Sequence, residues 1–257
     1  MGNHEICGTA HRLSSREVCD SGQISRDVIG RVFDMPIYSS PEHKLNILFL
    51  HVPKCGGGSI EKFFRDNGFI EEFRCIDRRL LGLYRCSPQH WHRPMLESVL
   101  KMDSFDYIFS VVRDPVARLV SEYKWRLAHP SAADGIDLWY ARVRDLFSRD
   151  PYLFDNHLRA QVEFLVPSAK VFRLEGSLQA VVDRIAMDLN MSFKSPSIAN
   201  QKSGVHQKRL TENPALVERN LLSQPSAFTR DLIRSDYALD YRFLARFGSD
   251  PLVVYEG

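Results

Sequence analysis

No apolar stretch in this 257-residue sequence approaches the roughly 20 residues that a membrane-spanning helix needs. The N-terminus lacks the basic-then-apolar pattern of a secretory signal. Gly2 raises the question of N-myristoylation, but Ile6 and Cys7 occupy the region where Ser or Thr is required. Net charge is slight, +2, which is too weak to imply a nucleic-acid partner. Any anion site must therefore come from local placement of Arg and Lys. Cysteine is sparse as well: five residues at irregular spacing form no disulfide framework. His4, Cys7, His11 and Cys19 match no standard zinc spacing. Internal repeats, low-complexity tracts and signs of a second domain are all missing. These absences set the expectation of a bacterial, cytoplasmic protein in a reducing compartment.

What is present is ordinary for a globular chain: 44% hydrophobic and 26% charged residues. Residues 1–40 show no sustained periodicity and are expected to form an extension. Ser39-Ser40-Pro41 marks entry to a single domain over 41–257. Strands are expected near 46–52, 106–112 and 170–174. The first is apolar on successive residues, as in a central parallel strand buried on both faces. Helical periodicity or helix-end signals mark segments near 59–67, 94–101, 115–127, 130–151, 178–189 and 214–247. Residues 69–85 fit a short strand and a basic loop equally well. Strands alternating with helices indicate an α/β fold.

The organising stretch runs from Leu48 to Phe64. An apolar run stops at Pro53, then Lys54, Cys55, Gly56, Gly57, Gly58 and Ser59 lead into a helix-like segment. Ser59 suits an N-cap and Gly68 a stop. Glycines let backbone N–H groups approach an anion, and the helix N-terminus adds partial positive charge. The Walker order, with lysine after the last glycine, is absent because Lys54 comes first. This argues for a phosphate loop of another kind.

A second motif spans 107–123. An apolar strand ends in Arg113-Asp114-Pro115, with Asp114 suited to N-cap and Pro115 to the first helical position. Arg113 sits at the strand's C-terminal end, where open parallel sheets bind ligands. Ser121 lies off the helix's apolar stripe, so arginine and hydroxyl are able to face one phosphate.

Together the motifs resemble those of 3′-phosphoadenosine-5′-phosphosulfate (PAPS)-dependent sulfotransferases, closest to the carbohydrate branch with heparan sulfate 2-O- and 6-O-sulfotransferases and bacterial relatives. That branch reads roughly His-hydrophobic-Pro-Lys-Thr-Gly-Gly-Thr-Ser, and residues 51–59 match it except at Cys55 and Gly58, which replace threonines. Two hydroxyl donors are thereby lost, while the backbone donors remain. The resemblance implies a three-layer, P-loop NTPase-like fold with a central parallel sheet flanked by helices. It implies PAPS as co-substrate, a carbohydrate or glycoconjugate acceptor, and no metal. Lys54, Cys55, Gly56, Gly57, Gly58 and Ser59 would take the 5′-phosphosulfate, and Arg113 and Ser121 the 3′-phosphate. Vertebrate relatives are membrane-anchored Golgi proteins, a setting expected here only for a trimmed chain.

Relatives also carry a base histidine between the two motifs, where this sequence has His90 and His92. His92 is preferred, standing nearest the Pro94 helix start; His90 is left to orient it, to bind substrate, or to be the base itself. His51 reads as structural or supporting. A stretch from Asp155 through Asn156, His157 and Arg159 to Gln161 resembles a segment of the bacterial members, either lining the cleft or forming a polar helix surface. A basic loop with Lys202, Lys208 and Arg209 resembles one that closes over nucleotide. A P-loop kinase-like transferase, disfavoured by the missing Walker lysine, and a non-catalytic nucleotide-binding module are the alternatives.

Overall fold

The computed structural model describes residues 35–72, 85–126, 135–199, 224–248 and 252–257. The expected extension up to residue 34, and the basic loop with Lys202, Lys208 and Arg209, lie outside these residues.

A mixed α/β architecture is built on one six-stranded sheet. Its strands are β1 (Ile37–Ser40), β2 (Leu45–Leu50), β3 (Ile70–Glu71), β4 (Tyr107–Val112), β5 (Lys170–Arg173) and β6 (Leu252–Val254). Their spatial order is β3-β1-β2-β4-β5-β6. Only the central β2, β4 and β5 run parallel; β1, β3 and β6 pair antiparallel at the flanks. The central parallel sheet expected from sequence is present as the β2-β4-β5 core, with antiparallel strands added at both edges. The cause at one edge is local: only a short turn separates β1 from β2, and a turn that short joins antiparallel neighbours. The sheet consequently begins at Ile37, ahead of the Pro41 boundary expected from sequence.

Alternation along the strands decides which face each side chain joins. In β2, Ile47 and Phe49 enter one apolar cluster, and Leu48 and Leu50 the other. Phe109 and Phe172 follow the first pattern; Val112 and Val171 follow the second. Both faces are therefore covered. Helices α1 (Gly57–Asp66) and α5 (Leu178–Asp188) cover the first, through Ile60, Phe63, Phe64, Val181, Val182 and Ile185. On the second lie Leu96 of α2 (Arg93–Val99), and Phe243 and Leu244 of α7 (Ala238–Leu244). A third cluster joins α3 (Pro115–Arg126), α4 (Gly135–Arg149) and α6 (Ala227–Asp236) around Tyr123 and Trp139. Among the described residues no helix is long and apolar enough to cross a membrane.

Candidate active site

The glycine loop lies beyond the C-terminal end of β2, and its shape depends on two left-handed residues. Lys54 has φ 68 and Gly56 φ 91. Gly56, not Ser59, is the N-cap of α1, because its left-handed backbone turns the chain directly into the helix at Gly57. Ser59 falls inside the first turn, buried, with its N–H on the Gly56 carbonyl at 3.0 Å. Gly57 and Gly58 open the helix, where backbone N–H groups have no intrahelical acceptor. A Cβ on Gly57 would lie 2.2 Å from Nε2 of His51, so only glycine fits against that ring. His51 is in turn fixed by Glu61 of α1, with Nδ1 2.6 Å from Oε1, and Gln89 Nε2 donates to the same oxygen. Burial acts to raise the Glu61 carboxyl, but His51 and Gln89 outweigh it and hold it at about 2. His51 is thus a buttress for the loop, in keeping with its supporting role in the sequence reading. The buried Lys54 ammonium lies 4.5 Å from the Trp125 ring centre on α3. Ser121 stands half-buried one turn before Trp125, on the same side of α3.

One buried amide joins the two motifs. Gln161 accepts from Cys55 Sγ at 3.3 Å and from the Arg113 N–H at 2.9 Å through the same oxygen. Its Nε2 donates to the Arg113 carbonyl at 2.8 Å and to Asp240 at 3.2 Å. Cys55 and Arg113, distant in sequence, are therefore brought to one residue. Asp114 caps α3 through the Ala117 N–H at 2.8 Å, as its sequence position predicts. Arg118, buried in the same helix, adds a second tie: it donates to the carbonyls of Pro53, Arg159 and His157 at 3.1, 2.8 and 2.7 Å. Buried arginine is tolerated only with such complete pairing.

The histidines separate into two environments. His90 Nδ1 lies 2.8 Å from Asp155 Oδ2, and Asp155 also accepts from the Ser87 N–H and hydroxyl. Burial opposes ionisation of Asp155, but His90, His157 and Ser87 hold its carboxyl well below the usual carboxylate range. The His90 ring meets His51 edge-on at 5.2 Å and His157 at 4.7 Å. His157 Nδ1 lies 2.7 Å from Glu122 of α3, which also pairs with Arg126. Burial drives the His157 imidazole down to about 4, so it is neutral at pH 7. Burial opposes the charge on Glu122 too, yet His157, Arg126 and Lys54 hold it well below the usual range.

His92 lies elsewhere. It precedes α2 at the N-cap, its ring meets Tyr152, and its buried Nδ1 has no hydrogen-bond partner. Burial and then Arg159 lower its affinity for a proton. The turn Leu153–Asn156 delivers Asp155 to His90 rather than to His92. Phe154, Asp155 and Asn156 all have left-handed φ, of 58, 60 and 68. Asn156 completes the hold by donating to the His90 carbonyl at 2.8 Å.

A sulfotransferase family model matches residues 37–245, most of the chain and both loops. The chain belongs to the sulfotransferase family. Comparison with curated proteins and with solved structures returns no match. Family chemistry is sulfuryl transfer.

Four residues of this candidate site escape a reading of motifs alone. Gln161 and Asp155 lie in the segment whose family resemblance is legible, but their contacts are not. Arg118 and Glu122 sit on α3 beside Ser121, where i and i+4 charges ordinarily read as a solvated helix face. Their burial carries no sequence signal beyond the charge itself.

Proposed function

We propose that this sulfotransferase moves a sulfuryl group from PAPS to a hydroxyl of a carbohydrate or glycoconjugate, with His90 as the general base. The observation that carries the donor assignment is the Gln161 amide, which ties the glycine loop to Arg113. Two anion-binding loops held at fixed separation suit a nucleotide with phosphates at both its 5′ and 3′ positions. Lys54 and the N–H groups of Gly57 and Gly58 would neutralise the charge that grows on the departing 5′-phosphate. Cys55, Gly56 and Ser59 shape that loop, while Arg113 and Ser121 would hold the 3′-phosphate by charge-assisted hydrogen bonding and a hydroxyl contact.

In the reaction the acceptor oxygen attacks sulfur and the bond from sulfur to the phosphate oxygen breaks. Because Asp155 accepts from Nδ1, His90 keeps the Nε2 lone pair for the hydroxyl proton, and Asp155 then stabilises the imidazolium. The choice of His90 over His92 rests on that dyad and on the contact with the loop buttress His51. The irregular spacing of the five cysteines supports a reducing compartment such as the bacterial cytoplasm.

Calorimetry with 3′-phosphoadenosine-5′-phosphate and with ATP tests the donor. Tight binding of the bisphosphate and weak or absent binding of ATP is expected. Tighter binding of ATP, with none of the bisphosphate, would remove the PAPS reading in favour of a kinase-like transferase.

A further inference from the structure

The sequence argues against metal, since no standard ligand spacing is present and the family resemblance implies none. The fold nevertheless gathers His90, Asp155 and His157 so that one ligand atom from each lies within 4.8 Å of the other two. Two imidazoles and one carboxylate are the ligand set of many zinc sites.

The surroundings have the organisation that metal sites use. His157 Nδ1 donates to Glu122 at 2.7 Å, which fixes the tautomer and leaves Nε2 with its lone pair. Asp155 is steadied by the Ser87 N–H and hydroxyl, and His90 by Asn156 through its carbonyl. Arg126 offsets the charge of Glu122, so Asp155 is the anion that faces an incoming cation. Tetrahedral zinc with bonds of about 2.0–2.1 Å sets its ligands roughly 3.3 Å apart. The widest of these separations therefore needs to close by at most about 1.5 Å, while His90 Nδ1 and Asp155, 2.8 Å apart, need to open by about 0.5 Å to admit the ion.

We infer that His90, Asp155 and His157 bind a divalent transition cation of the zinc class, and that its occupancy switches off the base. His157 binds through Nε2. The cation enters between His90 Nδ1 and Asp155, and water completes the shell. His90 stays neutral with one proton, which passes through solvent from Nδ1 to Nε2. An Nε2 that carries a proton no longer accepts one from an acceptor hydroxyl. The inhibitory half rests on the assignment of His90 as base; the binding half does not.

The test uses the full chain, freed of metal, with Co²⁺ as a spectroscopic probe and Zn²⁺ as competitor. One equivalent of Co²⁺ should give a visible band of tetrahedral or five-coordinate intensity that Zn²⁺ abolishes. His157→Gln and Asp155→Asn should each weaken Zn²⁺ at least tenfold against a chromophoric chelator, while His92→Gln leaves it within twofold. In the unsubstituted protein, Zn²⁺ should protect His90 and His157 from diethyl pyrocarbonate, read by peptide mass spectrometry; this arm holds even where a variant fails to fold. A strong near-ultraviolet thiolate-to-cobalt band would move the metal to the cysteines and overturn the site. Unchanged affinity in both variants, or no protection, would overturn it equally. Zn²⁺ bound here without loss of sulfotransferase activity would instead remove His90 as base and leave the metal site standing.

Discussion

Asp155 reaches Nδ1 of His90 at 2.8 Å from the middle of a left-handed turn. A non-glycine residue in that conformation costs on the order of 1–2 kcal/mol, and here three follow one another. Such strain persists only where the surroundings over-determine it. Asp155 answers Ser87 and His90, Asn156 accepts from Arg159 Nε at 2.7 Å, and the Arg126 guanidinium lies 3.5 Å from the centre of the Phe154 ring. The turn is held from three sides, and its product is a carboxylate aimed at one imidazole.

Asp155→Asn should therefore impair turnover while sparing donor affinity. Loss of the carboxylate frees the His90 tautomer and removes the counter-charge for the imidazolium, a change expected to lower kcat roughly 10²- to 10⁴-fold. His90→Gln should do at least as much, and His92→Gln should do far less. Steady-state rates with binding of 3′-phosphoadenosine-5′-phosphate measured alongside distinguish these cases. A large kcat loss confined to His92→Gln would return the base to the residue that sequence position favours.

Gln161 offers a separate test, because its amide serves both loops at once. Gln161→Leu strands the Arg113 N–H and carbonyl, each costing about 1–3 kcal/mol if it stays buried and unmet. We expect the donor KM to rise tenfold or more, with the acceptor KM nearly unchanged. Gln161→Glu should be worse, since it sets a second carboxylate against Asp240, whose own carboxyl burial already pushes up. Equal losses for donor and acceptor would indicate a general loosening rather than a link between the phosphate loops.

The parts of this fold legible in sequence are those where local chemistry decides the structure. Largely apolar runs, interrupted only by Asn46 in β2 and Ser110 in β4, mark these strands because both faces are covered, and Asp114-Pro115 marks the start of α3 because capping is a short-range interaction. The edge strands are another matter. Ile37–Ser40 is too short, and Leu252–Val254 too near the chain end, for alternation to distinguish them from a loop. The histidine pair shows the same limit at the site. His90 and His92 are near neighbours in sequence, and only the left-handed turn more than sixty residues later selects between them. Ser59 is expected to cap α1, but Gly56, three residues earlier, does so, because the positive φ of that turn favours glycine over serine.

Acid stability should reveal His157. Its folded pKa is depressed to about 4 from the ordinary 6.5, mainly by burial. A depressed histidine binds fewer protons folded than unfolded across this interval, so stability is fully present above about 6.5 and falls as pH drops toward 4. Glu61, depressed to about 2 from 4.5, continues the loss below that window. Urea unfolding from pH 7 to 4 should show a progressive fall that is much shallower in His157→Gln. A parallel slope in the variant would mean that His157 already carries its proton in the folded state.

The contact between Gly57 and His51 leads to the most specific expectation about the loop itself. A methyl group at residue 57 would meet three atoms of the imidazole at 2.2, 2.3 and 2.7 Å. The ring has little freedom to retreat, since Nδ1 is bound to Glu61 and its face borders Phe49 and His90. Gly57→Ala should therefore destabilise the protein by about 1–3 kcal/mol, the usual cost of overpacking. It should also weaken 3′-phosphoadenosine-5′-phosphate, because relief of the clash moves the first N–H groups of α1. Gly57→Ala combined with His51→Ala removes the obstacle, so the double variant should be less destabilised than the two single losses added together. Chemical denaturation of all four proteins measures the coupling directly. Simple additivity would show that the ring is not what requires glycine, and that the loop rather than His51 sets the residue at this position.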